Sequence, residues 1–233
     1  MLFNSIEFLI FFPAAALLYF LLPYRYRWVI LLSASCVFYL SATPIHCLIL
    51  AAMVLIGYLA GLLIERAGNR KRRLIFILSI VTICSFLFVF KYLNFFNYNI
   101  AAIARLIRWN YPARILNLIL PLGLSFYTFT SLSYIIEIYR GEQKAEHHLG
   151  IYALYIIFFP KLIMGPIERP QNLIPQFYQK HKFEYQRCAD GLKLMAWGLF
   201  NKIVIADRLA LFVNPVFNNP TAYQGISFII AIL

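Results

Sequence analysis

Long apolar stretches separated by short polar turns fill the first ninety residues. They cover residues 6–22, 28–41, 45–64 and 74–90, with Pro23 and Pro44 at two of the breaks. Since a helix rises 1.5 Å per residue, about 20 residues suffice to cross the ~30 Å hydrocarbon core of a bilayer. The pattern predicts four membrane spans within residues 1–90.

Residues 91–118 are too polar for a further span. Arg105, Arg108 and Arg114 alternate with aliphatic residues at roughly helical spacing, after an aromatic stretch that begins at Tyr92. A helix with one basic and one apolar face is typical of the membrane interface. The segment is therefore predicted to be an interfacial amphipathic helix.

The remaining apolar stretches carry more polar residues. Residues 119–138 include Pro121 and Gly123, residues 150–164 are broken at Pro160, and residues 187–211 have one polar stripe at helical spacing. A last apolar stretch begins near residue 222 and reaches Leu233. Together these predict an all-α, polytopic transmembrane bundle of about six or seven membrane-embedded helices, forming a single integral-membrane domain over residues 1–233. Because the last stretch is still apolar at its end, we expect this chain to be the N-terminal part of a longer protein.

The charge distribution favours a membrane over a nucleic acid as the partner. Of the 233 residues, 62% are hydrophobic and 13% charged, against about 25% charged in soluble domains. The net charge of +12 comes from basic residues between the apolar stretches, most densely at residues 65–73. Such clusters lie in cytoplasmic turns and meet anionic lipid headgroups.

One segment combines prolines and charges between apolar stretches. Residues 165–170 read Gly-Pro-Ile-Glu-Arg-Pro, and Pro175 follows, so residues 160–175 can form neither a continuous helix nor a sheet. At membrane depth such a backbone must line a protein-enclosed or watery cavity. We predict a re-entrant element whose Glu168 and Arg169 face a substrate path. A surface loop in which the prolines only stop helices is an equal alternative.

Side chains that could carry chemistry are sparse elsewhere. Five hydroxyl groups could bind a polar ligand, although such groups more often satisfy helix backbones and pack neighbouring helices: Ser125, Tyr127, Thr128, Ser131 and Tyr134. Glu137 is predicted to pair with Arg140, three residues on. The four histidines and four cysteines show no metal-binding spacing, so no metal site is predicted.

Three passages, taken together, resemble a known family. The opening Met-Leu-Phe-Asn-Ser-Ile-Glu-Phe-Leu is followed by Tyr19 and Pro23. Residues 120–129 read Leu-Pro-Leu-Gly-Leu-Ser-Phe-Tyr-Thr-Phe, and residues 159–167 read Phe-Pro-Lys-Leu-Ile-Met-Gly-Pro-Ile. In this order they resemble the membrane-bound O-acyltransferases, most closely the bacterial alginate O-acetylation branch and the related D-alanine transfer protein. The resemblance makes residues 119–233 the family-signature region.

The resemblance implies an activity and a location. It implies that an acyl group, expected to be acetyl, moves from a cytoplasmic thioester donor such as acetyl-CoA through a helix-enclosed tunnel. The acceptor would be an exported polysaccharide such as alginate. It further implies a multi-pass protein of the bacterial inner membrane with periplasmic acetylation partners and polysaccharide export machinery, and no bound cofactor. The candidates for the tunnel or substrate path are Ser125, Tyr127, Gly165, Pro166, Glu168 and Arg169.

No catalytic residue is assigned. The family's histidine stands in a Trp-Arg-Arg-Trp-His type motif, and none of the four histidines here has that context. It is expected downstream of Leu233. A transporter or export component, which also uses broken helices, and a non-catalytic membrane scaffold are the alternatives.

Overall fold

The described part of the chain contains helices and no strand, which confirms the predicted all-α class. The computed structural model describes residues 3–42, 44–107, 109, 120–163, 165–219, 221–223 and 225–232. Its α-helices are α1 (Ile6–Leu21), α2 (Arg27–Ala42), α3 (Cys47–Arg66), α4 (Asn69–Leu87), α5 (Leu93–Leu106), α6 (Leu124–Arg140), α7 (Leu149–Ile157), α8 (Phe159–Leu162), α9 (Pro170–Phe177), α10 (Tyr185–Phe200), α11 (Asp207–Asn218) and α12 (Ile226–Ile232).

Two helices in the described residues are long and apolar enough to cross a membrane. One runs over Pro44–Arg66 for 23 residues, and the other over Asn69–Leu106 for 38 residues. Helix α1 is also apolar but has only 16 residues. The count of six or seven membrane-embedded helices stays a prediction.

The longer of these helices joins two segments that the sequence pattern separates. A π-helical turn, Phe88–Tyr92, links α4 to α5 without a break. At 1.5 Å per residue the whole helix is about 57 Å long, roughly twice the hydrocarbon thickness. Part of it must therefore extend beyond an apolar core. The interfacial placement of residues 91–118 stays a prediction, and residues 108 and 110–118 lie outside the described residues.

The described chain divides into two compact units, Met1–Lys180 and His181–Leu233. In the first, α3, α4 and α6 pack against one another, α2 packs against α1 and α7, and α9 lies on α6 and α7. In the second, a π-helical turn, Asn201–Ala206, connects α10 to α11, and α11 packs against α12. The helical periodicity predicted for residues 187–211 is confirmed. The prediction of one domain over residues 1–233 is not tested.

Two glycines on α3 allow close contacts in the core. A Cβ atom at Gly57 would overlap the hydroxyl of Tyr152, and one at Gly61 would lie 2.7 Å from Cε1 of Tyr134. Both tyrosines are fully buried, so neither ring can swing away into solvent. The spacing of four residues puts the two glycines on one helix face, which lets α6 and α7 bring large rings against α3.

Alanine at Gly57 is therefore expected to destabilise the protein. Overpacking typically costs about 1–3 kcal/mol, and this exceeds the ~1 kcal/mol that alanine gains over glycine in a helix. The measurement is thermal unfolding of the purified protein in detergent. Gly198→Ala is the matched control, since a Cβ there meets no atom within 4 Å and should raise stability. Equal effects of the two substitutions would contradict the close contact.

Candidate functional site

The start of α6 is positioned by a glycine that no other residue can replace without strain. Gly123 has φ +74°, a left-handed conformation, and a Cβ atom there would lie 2.5 Å from the carbonyl oxygen of Leu162. The backbone of α8 can therefore approach the beginning of α6. One turn further along α6, Tyr127 is buried beside Tyr39.

A group of buried polar side chains on three helices of the first unit is here called the polar layer. Its members are less than 9% exposed and come from α6, α7 and α8: Tyr127, Thr128, Ser131, Tyr152 and Lys161. Tyr127 lies close enough to Tyr39, and Tyr152 to Ser131, for their hydroxyl groups to interact. The Thr128 hydroxyl and the Lys161 ammonium make no hydrogen bond to any described residue. Tyr152 lies beside Ser131 where α7 meets α6.

Some hydroxyl groups of residues 119–138 satisfy backbone groups, as the sequence analysis expected for most of them. Thr130 donates to the carbonyl oxygen of Phe126 at 2.8 Å, so this hydroxyl satisfies its own helix backbone. The Tyr134 hydroxyl accepts a hydrogen bond from the backbone N–H of Glu146 at 2.8 Å. Thr128 has no such bond within the described chain, and Ser131 lies against the hydroxyl of Tyr152. Ser125 is half-buried.

Aromatic rings border the polar layer on its α7 side. The ring centroids of Tyr134 and Tyr152 are 4.6 Å apart, and those of Tyr134 and Tyr155 are 6.2 Å apart. The ammonium of Lys161 lies over the face of Tyr155, 4.1 Å from the ring centroid. At this distance the ring quadrupole attracts the cation. Lys161 is therefore held inside the protein against an aromatic face.

The Gly165–Arg169 stretch runs over this region without forming a helix. Gly165 donates its N–H to the carbonyl oxygen of Lys161 at 3.0 Å, and a side chain at position 165 would overlap Lys161. Further on, the Tyr155 hydroxyl donates to the carbonyl oxygen of Glu168 at 2.9 Å. Helix α9 then begins at Pro170, whose missing N–H suits the first helical position.

The structure thus confirms that residues 160–175 do not form one continuous helix, although α8 and α9 occupy parts of that range. Re-entry into the membrane stays a prediction. Of the candidates in this stretch, Gly165 and Glu168 are half-buried, whereas Pro166 and Arg169 are exposed. Gly165 contacts Lys161 of the polar layer, and the backbone of Glu168 is hydrogen-bonded to Tyr155, which borders the layer. Tyr127 belongs to the layer itself.

A buried carboxylate joins α6 to this stretch. Glu137 is 6% exposed, and its Oε2 accepts a hydrogen bond from Nε2 of Gln171 at 2.9 Å. Its Oε1 lies 3.9 Å from the guanidinium of Arg169. The hydrogen bond from Gln171 and the nearby guanidinium of Arg169 both favour the ionised form of this carboxylate.

The predicted Glu137–Arg140 pair is wrong. Arg140 instead forms an ion pair with Glu142 at 2.8 Å. Helix α6 ends between the two residues and Gly141 turns the chain, so Arg140 follows the loop while Glu137 faces α9. Helical spacing permits the predicted pair, but Glu137 accepts its hydrogen bond from Gln171 on α9 instead.

The loop after α6 is fastened by acidic side chains. Glu65 accepts a hydrogen bond from the N–H of Ala145 at 3.1 Å, and Glu146 accepts one from the Tyr178 hydroxyl at 2.9 Å. Partial burial and this bond to a carboxylate raise the pKa of Tyr178. Tyr178 therefore stays a neutral donor. These contacts hold α7, which follows the loop, in register with α3 and α9.

Several residues of the site escaped sequence reasoning. Tyr152 and Tyr155 look like ordinary apolar positions in a short helix, and Gln171 lies in a segment judged only by its prolines. Lys161 had a usable signal, since an ionisable residue inside an apolar stretch suggests function. What the pattern could not supply was its burial against Tyr155.

The class defined by these features is an all-helical protein with two candidate membrane spans and a buried polar layer. Its relatives give a more specific answer. The chain is 37% identical over 230 residues to a protein named "Probable alginate O-acetylase AlgI" of Pseudomonas aeruginosa, covering 95% of this chain and 43% of that protein. It is 36% identical over 228 residues to the protein of the same name from Azotobacter vinelandii, covering 95% and 45%. A peptidoglycan O-acetyltransferase of Helicobacter pylori is 31% identical over 261 residues, covering 97% and 48%.

These relatives confirm the resemblance to the alginate O-acetylation branch of the membrane-bound O-acyltransferases. The chain is a homologue of bacterial O-acetylases along nearly its whole length. It spans slightly less than half the length of the curated relatives it matches. No family model matches the chain, and no solved structure matches it.

Proposed function

We propose that this chain works in a multi-pass O-acetyltransferase of the bacterial inner membrane. The enzyme would move an acetyl group from a cytoplasmic thioester, such as acetyl-CoA, towards an exported polysaccharide such as alginate. The single observation that carries the proposal is the identity of 31–37% over at least 95% of the chain to proteins named for O-acetylation of alginate or peptidoglycan. Periplasmic acetylation proteins and polysaccharide export machinery are the proposed partners.

The arrangement of the first unit supports this reaction class. Acetyl transfer to a hydroxyl competes with hydrolysis, so the reacting groups must be kept from water. The polar layer places hydroxyl groups and the ammonium of Lys161 inside a helical core, where they would hold a polar substrate. The half-buried Gly165 and Glu168, placed over Lys161 and Tyr155, would form the boundary of the substrate path. The proposal assigns no catalytic base to the histidines of this chain.

Deleting the gene that contains this chain is expected to remove O-acetyl groups from the exported polysaccharide without reducing the amount of polymer. The measurement is the ratio of ester-linked acetate to sugar in purified polymer, with the unaltered gene restored as control. If the amount of polymer falls and the acetyl ratio is unchanged, the protein is an export component or transporter. If neither changes, the acetyltransferase proposal is wrong.

The restored gene also permits a test of the polar layer. Tyr152→Phe removes one buried hydroxyl, which lies beside Ser131, and keeps the ring, so folding should be preserved. Losing one hydrogen bond to substrate should lower acetylation about threefold to tenfold. Tyr98→Phe is the matched control, because that ring is 76% exposed. If Tyr152→Phe leaves acetylation at the unaltered level, the polar layer does not contact the substrate. That result would support a scaffold role.

A further inference from the structure

A surface groove runs between α1 and α2. Both helices line it, and its volume is about 330 Å³. Phe11 and Val37 lie at the end far from the turn that joins the helices. Leu18 and Tyr26 lie next to that turn. The groove is open because the lining residues between its ends are small: Ala14, Ala15, Ser33 and Ala34.

The lining of the groove is almost entirely apolar. Of its lining residues, only Ser33 and Tyr26 carry a polar side-chain group. The surface of α1 beyond the groove is apolar as well, with four large side chains that are more than half exposed: Ile6, Ile10, Leu17 and Leu21. Exposed apolar surface of this extent marks contact with a membrane or another protein. A sugar or a nucleotide would find few hydrogen-bonding partners in such a groove.

The turn beside Tyr26 is basic. Arg25 is exposed, and no carboxylate of the described residues forms an ion pair with it. The guanidinium of Arg27 lies 5.0 Å from the ring centroid of Tyr19, which holds this second cation at the turn. Lys180 approaches from a distant segment, with Nζ 5.5 Å from the ring centroid of Tyr24. Positive charge therefore gathers at one end of an apolar groove.

We propose that the groove binds one anionic phospholipid of the cytoplasmic leaflet, with an acyl chain between α1 and α2 and the phosphate at Arg25. The inference rests on the membrane placement proposed above, in which basic turns face the cytoplasm. A phosphate forms strong charge-assisted hydrogen bonds with a guanidinium, and the acyl chain covers the apolar lining. A helix of a second copy could cover the groove but would bring no anion to the turn. Free phosphate would leave the apolar lining uncovered.

Binding of matched probes to the full protein in detergent tests the proposal. Dioleoylphosphatidylglycerol has an anionic headgroup, dioleoylphosphatidylcholine has the same chains without net charge, and glycerol phosphate is a headgroup without chains. A ligand that binds only the folded protein raises its unfolding temperature. We expect phosphatidylglycerol to raise that temperature, with phosphatidylcholine clearly weaker and glycerol phosphate without effect.

Two variants separate the headgroup from the acyl chain. Arg25→Gln should raise the apparent dissociation constant of phosphatidylglycerol about fivefold, as expected for loss of one basic residue at a membrane surface. Arg73→Gln is its control, because it removes an exposed charge from another basic turn. Ala14→Leu should raise the constant about tenfold or more, since its side chain takes the space of about two methylene groups. Ala51→Leu is the control, because Ala51 is exposed on α3 and does not line the groove.

Each contrary outcome overturns the proposal. If phosphatidylcholine acts like phosphatidylglycerol, or if Arg73→Gln weakens binding as much as Arg25→Gln, the turn holds no phosphate site. If Ala14→Leu binds the lipid unchanged, the acyl chain does not lie in the groove. Should Ala14→Leu fail to fold, Ser33→Leu fills the same groove from α2 and must lose the lipid instead. Recovery of the protein from the membrane fraction tests the placement, and polymer acetylation tests the activity. Failure of the proposed function can therefore be told from failure of the lipid site.

Discussion

Replacing Gly123 with alanine is expected to destabilise the protein by about 3 kcal/mol. The left-handed backbone at φ +74° costs a residue with a side chain about 1–2 kcal/mol. The new Cβ would also lie 2.5 Å from the carbonyl oxygen of Leu162, a backbone atom that cannot rotate away. Such overlap adds about 1–3 kcal/mol. Thermal unfolding in detergent and the yield of monodisperse protein measure the effect.

Gly141→Ala separates the two causes. Gly141 ends the same helix with φ +81°, yet a Cβ there meets no atom within 4 Å. It should therefore lose only the conformational part, about 1–2 kcal/mol. Equal losses of stability at the two glycines would mean that α8 does not approach the start of α6 as described. The placement of Lys161 on α8 would then also be wrong.

Replacing Gln171 with leucine is expected to destabilise the protein by about 2–3 kcal/mol. Glu137 is buried and accepts a side-chain hydrogen bond from Gln171 at 2.9 Å. Without that donor, an ionised carboxylate would remain inside the core with Arg169 at 3.9 Å. Leaving a charged group unsatisfied costs more than a neutral hydrogen bond contributes. The free energy of unfolding of the purified protein is the quantity to compare.

The double variant Glu137→Gln with Gln171→Leu tests the physical reason. If the unpaired charge causes the loss, neutralising Glu137 should restore part of the stability of Gln171→Leu. Arg169→Ala is the matched control, since that side chain is 69% exposed and such pairs are worth about 0–1 kcal/mol. Additive losses in the double variant would show that the two residues act independently.

The sequence by itself determined the helices and the relationship to O-acetylases. The apolar stretches at residues 6–22 and 45–64 agree with α1 and α3 to within two residues, because a helix must be apolar where it contacts core or lipid. The prolines near residue 165 predicted the break in helical structure there, since proline removes a backbone donor and its ring clashes with the preceding turn. The three motif passages supported the resemblance because they occur in the same order along the chain.

Only the tertiary structure decided which polar groups meet. Helical spacing made Arg140 the expected partner of Glu137, but Gln171, 34 positions away, lies closer to the carboxylate once α9 packs on α6. Lys161 and Tyr152 become parts of one polar layer because α7 packs against both α6 and α8. Local pattern reports which face of a helix is apolar, whereas the partner of a buried charge depends on contacts between distant segments. That is why the helices of this protein could be read from its sequence, while the arrangement of its candidate site could not.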